Sequence, residues 1–191
     1  MRTYLSELHT KKEFLNSLDR KLRSVGFETR VIKTRQAELY AIVRLLKPNI
    51  IVETGVENGI SASFILQALK DNNYGKLYSI EITQILANGR EAGWIIPSDL
   101  KSRWELLIGN SLEVLPILCR SLHSIDIFIH DSEHSYPVMF GEYLIVWPYI
   151  RSGGFLISDD TGENEAFINF SQRVNVPACW TLRGYGILRK P

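Results

Sequence analysis

The stretch NIIVETGVENGISAS, Asn49 to Ser63, decides how the chain is read. Its first half is a short apolar run that ends at a glycine. Its second half passes into small and apolar residues that continue as a helix through SASFILQALK. Gly55 is expected to take the tight backbone turn leaving the strand, and Gly59 to let a ligand approach the backbone where the helix begins. The free N–H groups around Ser61 would then favour an anionic or carboxylate-bearing ligand. A plain strand-to-helix turn is the alternative. The glycine spacing does not match the G-x-G-x-x-G of nicotinamide-binding folds. Nor is GISAS a hydrolase nucleophile elbow, because Ser63 stands where the second glycine of G-x-S-x-G belongs.

Working outward, the same alternation repeats. KLYSIEI and WELLIG read as strands, SLEVLPILCRSL as a helix, IDIFIHD as a strand, YPVMFGEYLIVWPYI as a helix and GGFLISDD as a strand. Strands apolar on both faces, separated by helices, imply a mainly parallel sheet covered on both sides. After a helix around NEAFINFSQRV, the segments CWTLR and YGILRK are separated only by Gly184, too short a gap for a crossover helix, so they are predicted to pair antiparallel. Upstream, Leu5, Leu8, Leu15, Leu18 and Leu22 share one helical face, with Gly26 as a stop, and Leu39, Ile42, Val43 and Leu46 mark a second helix ending before Pro48. Residues 1–30 are therefore predicted to be a helical extension, a lid or an oligomer contact, ahead of a domain spanning 31–191. Pro116 and Pro148 fall inside predicted helices.

The chain has 191 residues, enough for one domain with a sizeable core. Its 22 Lys and Arg nearly balance 21 Asp and Glu, which argues against duplex nucleic acid as the main partner. No apolar run approaches the roughly 20 residues of a membrane span, and MRTYLSELHTKKEF lacks the apolar core of a secretory signal. Cys119 and Cys179 have no metal-ligand spacing and are expected to be free thiols, which together point to a cytoplasmic protein.

In an open parallel sheet, ligands bind beyond the carboxyl ends of the strands. Glu81, at the end of YSIEI, lies 22 residues past Gly59, about where a nucleotide-binding sheet places the acid that accepts from ribose hydroxyls. Taken in order, VETGVENGIS, YSIEI, LIGNS, IDIFIHDSEHSY and GGFLISDD resemble class I S-adenosylmethionine-dependent methyltransferases. They are more closely similar to the small-molecule O-methyltransferase branch, including macrocin O-methyltransferase and cephalosporin-hydroxylase-like proteins. The resemblance covers roughly residues 48 to 160. It implies an α/β, Rossmann-like, doubly wound fold with a mainly parallel seven-stranded sheet and an antiparallel C-terminal strand pair. It also implies S-adenosylmethionine as cofactor, with Glu53 and the Gly55–Gly59 turn, including Ser61, at its methionine part. Glu81 would hold the ribose, Asn110 and Ser111 would flank the adenine, and Asp131 would stand beside the cofactor. Many relatives carry aspartate where this chain has Asn110, but an amide can still hydrogen-bond a base.

Asp131 ends one predicted strand, and Asp159 with Asp160 ends the next. Consecutive strands joined by a helical crossover are usually neighbours, so three carboxylates are expected to converge. Their repulsion would be relieved by a divalent cation with all-oxygen ligands, magnesium first, manganese or calcium as alternatives. The resemblance implies the same: relatives hold magnesium with acids at these positions. Helix caps or acids paired with arginines are the structural alternative. His134, three residues past Asp131, is a candidate general base or, equally, a turn residue, and His130 shares strand parity with Phe128 and is expected to pack against the sheet. The segment NGREAGWIIPSDLKSRW and the N-terminal helices are expected to cover the site, with Trp94 and Tyr136 as possible substrate walls and Trp104 more suited to the core. Metal-assisted methylation of a small-molecule hydroxyl is the function implied, with a possible homodimer through an exposed N-terminal helix. A cofactor-binding module without catalysis, and a methyltransferase that uses no metal, are the alternatives.

Overall fold

The computed structural model describes residues 2–28 and 30–191. Strands β1 (Ile50–Thr54), β2 (Lys76–Glu81), β3 (Trp104–Ile108), β4 (Ile125–His130), β5 (Ile150–Ser158), β6 (Cys179–Trp180) and β7 (Gly186–Arg189) form one sheet. Their spatial order is β3-β2-β1-β4-β5-β7-β6. The first five pair in parallel. β7 enters antiparallel against β5, and β6 pairs antiparallel with β7, as the short gap at Gly184 requires. Strand order reverses between β1 and β4, so the crevice beyond their carboxyl ends is the topological switch point of the sheet.

The strands are apolar on both faces because helices cover both. Helices α1 (Arg2–Thr10), α2 (Lys12–Arg23), α3 (Ala37–Leu46) and α4 (Ile60–Asn72) supply leucines, Tyr40 and Phe64 to a core that meets Ile51, Ile127, Ile129 and Ile157. Helices α5 (Ser111–Leu122), α6 (Tyr136–Val146) and α7 (Ala166–Arg173) close the other face over Val52, Phe128 and Leu156. The alternation of β1, Ile51 to one side and Val52 to the other, is the period-two strand pattern buried twice.

Three expectations change. The leucine-striped first segment is two helices, broken at Lys11, whose ammonium reaches Asp71 at 2.9 Å. The break lets both halves lay Leu8, Leu15, Leu18 and Leu22 into the core with α3 and α4, and all four are buried. The apolar stripe is covered by its own chain, so the ground for expecting a dimer through it is gone. Pro148 lies past the end of α6, in a short 3-10 turn at Trp147–Tyr149, whereas Pro116 sits within α5. A proline cannot offer the N–H that would continue α6. Among the described residues, no helix is long and apolar enough to cross a membrane.

Candidate active site

On the β1–β2 side, the turn after β1 is held by two devices. Gly55 has φ +81°, and a Cβ on it would stand 1.8 Å from the Asp131 carbonyl oxygen. Only glycine lets the ends of β1 and β4 approach this closely. The Glu81 carboxylate supplies the second device: Oε2 accepts from the Val56 and Glu57 N–H groups at 2.9 and 2.8 Å, and Oε1 from Ile82 N–H at 2.9 Å. Gly59 plays a different part from the one expected. It has φ +94° and starts α4, but a Cβ there would meet Gly93 Cα at 2.8 Å and the Ile96 side chain at 2.9 Å. The space is needed by the 93–96 turn, not by a ligand, and Gly59 is not among the residues that line the crevice.

The crevice is a cavity of about 480 Å³ lined by Gly55, Ser61, Glu81, Asn110, Ser111, Asp131 and His134, with Gln36, Val56 and Ile82 among the remainder. Glu53 lies beneath it rather than in its wall: the residue is 1% exposed and accepts from Ser79 Oγ at 2.9 Å, while its Oε2 is buried without a partner. Burial pushes its carboxyl up to about 8, against the hydrogen bonds of Ser79 and Ser61 and with the help of the Glu81 charge. Asn110 is the N-cap of α5, its Oδ1 accepting from Leu112 N–H at 2.9 Å. That leaves its amide N–H groups and one lone pair for a base.

On the β4–β5 side the strand ends stand in register, His130 opposite Ser158, with Asp159 N–H bonded to the His130 carbonyl at 2.9 Å. Asp131 and Asp159 thereby come within hydrogen-bonding reach of each other. Burial first, and then the charge of Asp159, push the Asp131 carboxyl well above the usual range; burial also raises Asp159, against the pull of Arg35. Asp160, in the left-handed region at φ +46°, joins them. His134 lies between, with Nδ1 3.5 Å from Asp160 Oδ2 and Nε2 3.9 Å from Asp131 Oδ1. Arg35 Nη1 bridges Asp159 Oδ1 at 2.8 Å and Asp160 Oδ1 at 2.7 Å. Among the described residues, no three or more His, Cys, Asp or Glu side chains already stand in the arrangement of a metal cage. The donor set nevertheless suits a hard divalent ion: three carboxylates, with Asp159 Oδ2 and His134 Nε2 both buried and unpartnered.

Residues 52–161 match a family model described as a methyltransferase domain, more than half of the chain. The chain belongs to this methyltransferase family. It is an S-adenosylmethionine-dependent enzyme of that class. No curated protein matches the sequence significantly. Similar solved structures include a methyltransferase from Geobacter sulfurreducens, with 16% identity, a TM-score of 0.67, and 93% of this chain and 88% of that one covered. The O-methyltransferase NovP is similar at 13% identity and a TM-score of 0.64, covering 81% and 77%. MycE, a methyltransferase of the mycinamycin biosynthetic pathway in complex with Mg, SAH and mycinamycin VI, is similar at 14% identity and a TM-score of 0.59, covering 80% and 48%. At such identities the likeness is one of fold.

Two parts of this methyltransferase's site escaped the sequence. Arg35 comes from the turn before α3, with no local pattern to announce it. The other is a buried network under the acids. Glu142, fully buried in α6, takes Thr54 Oγ1 and His130 Nδ1 on Oε2 and Ser132 Oγ on Oε1, each at 2.7 Å. Burial alone would raise the Glu142 carboxyl, but the hydrogen bond and charge of His130, with the hydroxyls, hold it below the ordinary range. His130 does pack as expected, and its ring meets His134 edge to face with centroids 5.5 Å apart. The signal for Glu142 was present: it is the only acid in the apolar run YPVMFGEYLIVWPYI. Of the aromatic residues, Trp104 is tied into the sheet through Ser79 at 2.8 Å, Trp94 bonds Asn58 at 2.7 Å, and Tyr136 stacks on Phe140. None of the three lines the cavity.

Proposed function

We propose that the protein is a divalent-metal-assisted O-methyltransferase acting on a hydroxyl of a small molecule. The observation that carries this reading is the meeting of Asp131, Asp159, Asp160 and His134 at adjacent strand ends, with Asp131 and His134 opening on the cofactor-sized cavity. MycE, of the same fold, was solved with both Mg and SAH, and this supports the pairing of a metal with a cofactor site in such a sheet.

S-adenosylmethionine supplies a methyl group on a cationic sulfur, and a divalent ion supplies Lewis acidity at the acceptor hydroxyl. The chain's own task is to bind, align and deprotonate. Glu81 and the Gly55 turn would receive the ribose and methionine parts, with Ser61 in the cavity wall at the first turn of α4. Glu53, beneath the cavity with one buried oxygen unpartnered, would underpin the methionine end of the site rather than line it. Asn110 and Ser111 would face the adenine. Asp131, Asp159 and Asp160 would hold the ion, and His134, with an unpartnered Nε2, would take the hydroxyl proton. Alignment of acceptor and methyl can supply up to about 7–11 kcal/mol in ideal cases. Residues 2–28 and 88–104 are proposed to border the acceptor's approach.

The second reading is a methyltransferase that uses no metal. Arg35, already paired with Asp159 and Asp160, favours it. The two separate cleanly. Asp159→Ala is expected to abolish methyl transfer to a hydroxyl acceptor in a magnesium-supplemented screen while S-adenosylhomocysteine still binds. Full wild-type activity in excess chelator would eliminate the metal.

A further inference from the structure

The metal-assisted reading leaves Arg35 without a role. Its guanidinium enters the acid corner from the turn between the short 3-10 helix Val31–Lys33 and α3, 125 residues from Asp160 in sequence. A single nitrogen, Nη1, bonds one oxygen of Asp159 and one of Asp160. The same two carboxylates are among those that would hold a divalent ion. An ion held by them would set a second positive charge beside the guanidinium. Two such charges repel, and both cannot hold the pair.

The surroundings allow the guanidinium to leave without disturbing the turn that carries it. Arg183 Nη1 pins that turn independently, donating to the carbonyls of Ile32 at 3.2 Å and Thr34 at 2.5 Å. The Arg183 backbone N–H is in turn fixed on Glu38 at 3.3 Å. The Arg35 side chain itself is 35% exposed, at the border of solvent, so rotation of its own flexible stem can carry the charge outward. Beneath it, the buried, unpartnered Asp159 Oδ2 and His134 Nε2 are acceptor capacity that the arginine does not use. An arginine satisfies part of this corner and leaves the rest open.

We propose that Arg35 is the resident counter-cation of the Asp131–Asp159–Asp160 corner: it holds the acids together in the metal-free protein and cedes its two oxygens to a divalent ion when one binds. The inference rests on the metal-assisted reading and adds that this residue sets the affinity of the site. Removing the positive charge leaves the carboxylates unopposed and strengthens ion binding. Lysine keeps the charge but loses the planar fork, and belongs between the two.

The test is Mn²⁺ binding, followed by the electron paramagnetic resonance of the free ion, on the full chain saturated with S-adenosylhomocysteine. Wild type, Arg35→Met and Arg35→Lys are compared, with melting temperatures measured in chelator and in Mn²⁺. Arg35→Met is expected to bind Mn²⁺ at least tenfold more tightly than wild type, to melt lower in chelator, and to gain more on adding the ion. If Arg35→Met does not fold, a tighter site in Arg35→Lys than in wild type carries the same conclusion. Unchanged or weaker Mn²⁺ affinity in the folded variants overturns the role of Arg35 while leaving the metal reading in place. S-adenosylhomocysteine bound but no Mn²⁺ taken up by any of the three proteins overturns the metal reading, and the inference falls with it.

Discussion

The two sides of the crevice meet their polar groups in different ways. On the β1–β2 side, side chains hold backbone N–H groups: Glu81 closes on Val56 and Glu57 across one strand–helix–strand unit, and Asn110 caps the helix that starts at the next residue. On the β4–β5 side, side chains hold one another, and two of the contacts span far more chain: 125 residues from Arg35 to Asp160 and 88 from Thr54 to Glu142. Arg35 crosses to Asp159 and Asp160, and Glu142 gathers Thr54, His130 and Ser132 from two strand ends. The first side is a set of turns and caps, each completed within one strand–helix–strand unit or at a single helix start. The second exists only when the whole sheet is assembled, so its failure should be cooperative and large.

That contrast sets the expected sizes of effect. Glu142→Ala should be the most damaging change, because it strands a buried imidazole and two hydroxyls without their acceptor; removing one partner from a buried ionic network costs about 3–5 kcal/mol. Urea denaturation measures it, and a loss below about 1 kcal/mol would mean the network is not holding α6 to the strand ends. Glu53 comes next, through pH. A carboxyl whose pKa is raised on folding, here from 4.5 to about 8, binds its proton more tightly when folded. Its contribution therefore falls away as pH climbs from 4.5 to about 8 and the protein is forced to ionise a buried group. Glu53→Gln should flatten that part of the stability–pH profile of the ligand-free protein, gaining on wild type at pH 9 and not at pH 4. Parallel profiles would show that Glu53 does not titrate in that window. The smallest effect belongs to the local cap at Asn110. Asn110→Ala removes an N-cap for about 1 kcal/mol, while Asn110→Asp keeps the cap and should leave thermal stability nearly unchanged. Equal losses in the two variants would contradict the capping role.

The same contrast separates what is legible in the amino-acid order from what is not. The sheet, its parallel core and the returning β7 are legible because period-two and helical apolar patterns, and a gap too short for a crossover, constrain each segment locally. The meeting of Asp131 with Asp159 follows from one rule, that strands joined by a helical crossover lie side by side. Arg35 is beyond reach, since nothing in the sequence around Thr34 and Gln36 says which strand end the turn will face. Gly59 misleads for a related reason: glycine signals close approach, and the residues that approach it, Gly93 and Ile96, lie in a segment with no regular pattern. Lys11 breaks an apparently continuous leucine stripe, because both halves keep the same face toward the core and periodicity alone does not record the bend.

The crevice between β1 and β4 is proposed as a cofactor site with a divalent-ion corner on its β4–β5 side. Calorimetric titration of S-adenosylhomocysteine into the full chain, with and without Mg²⁺, tests it most directly. One molecule is expected to bind per chain in both conditions, with Mg²⁺ itself binding to wild type and not to Asp159→Ala. Absence of S-adenosylhomocysteine binding in either condition would contradict the account at its root.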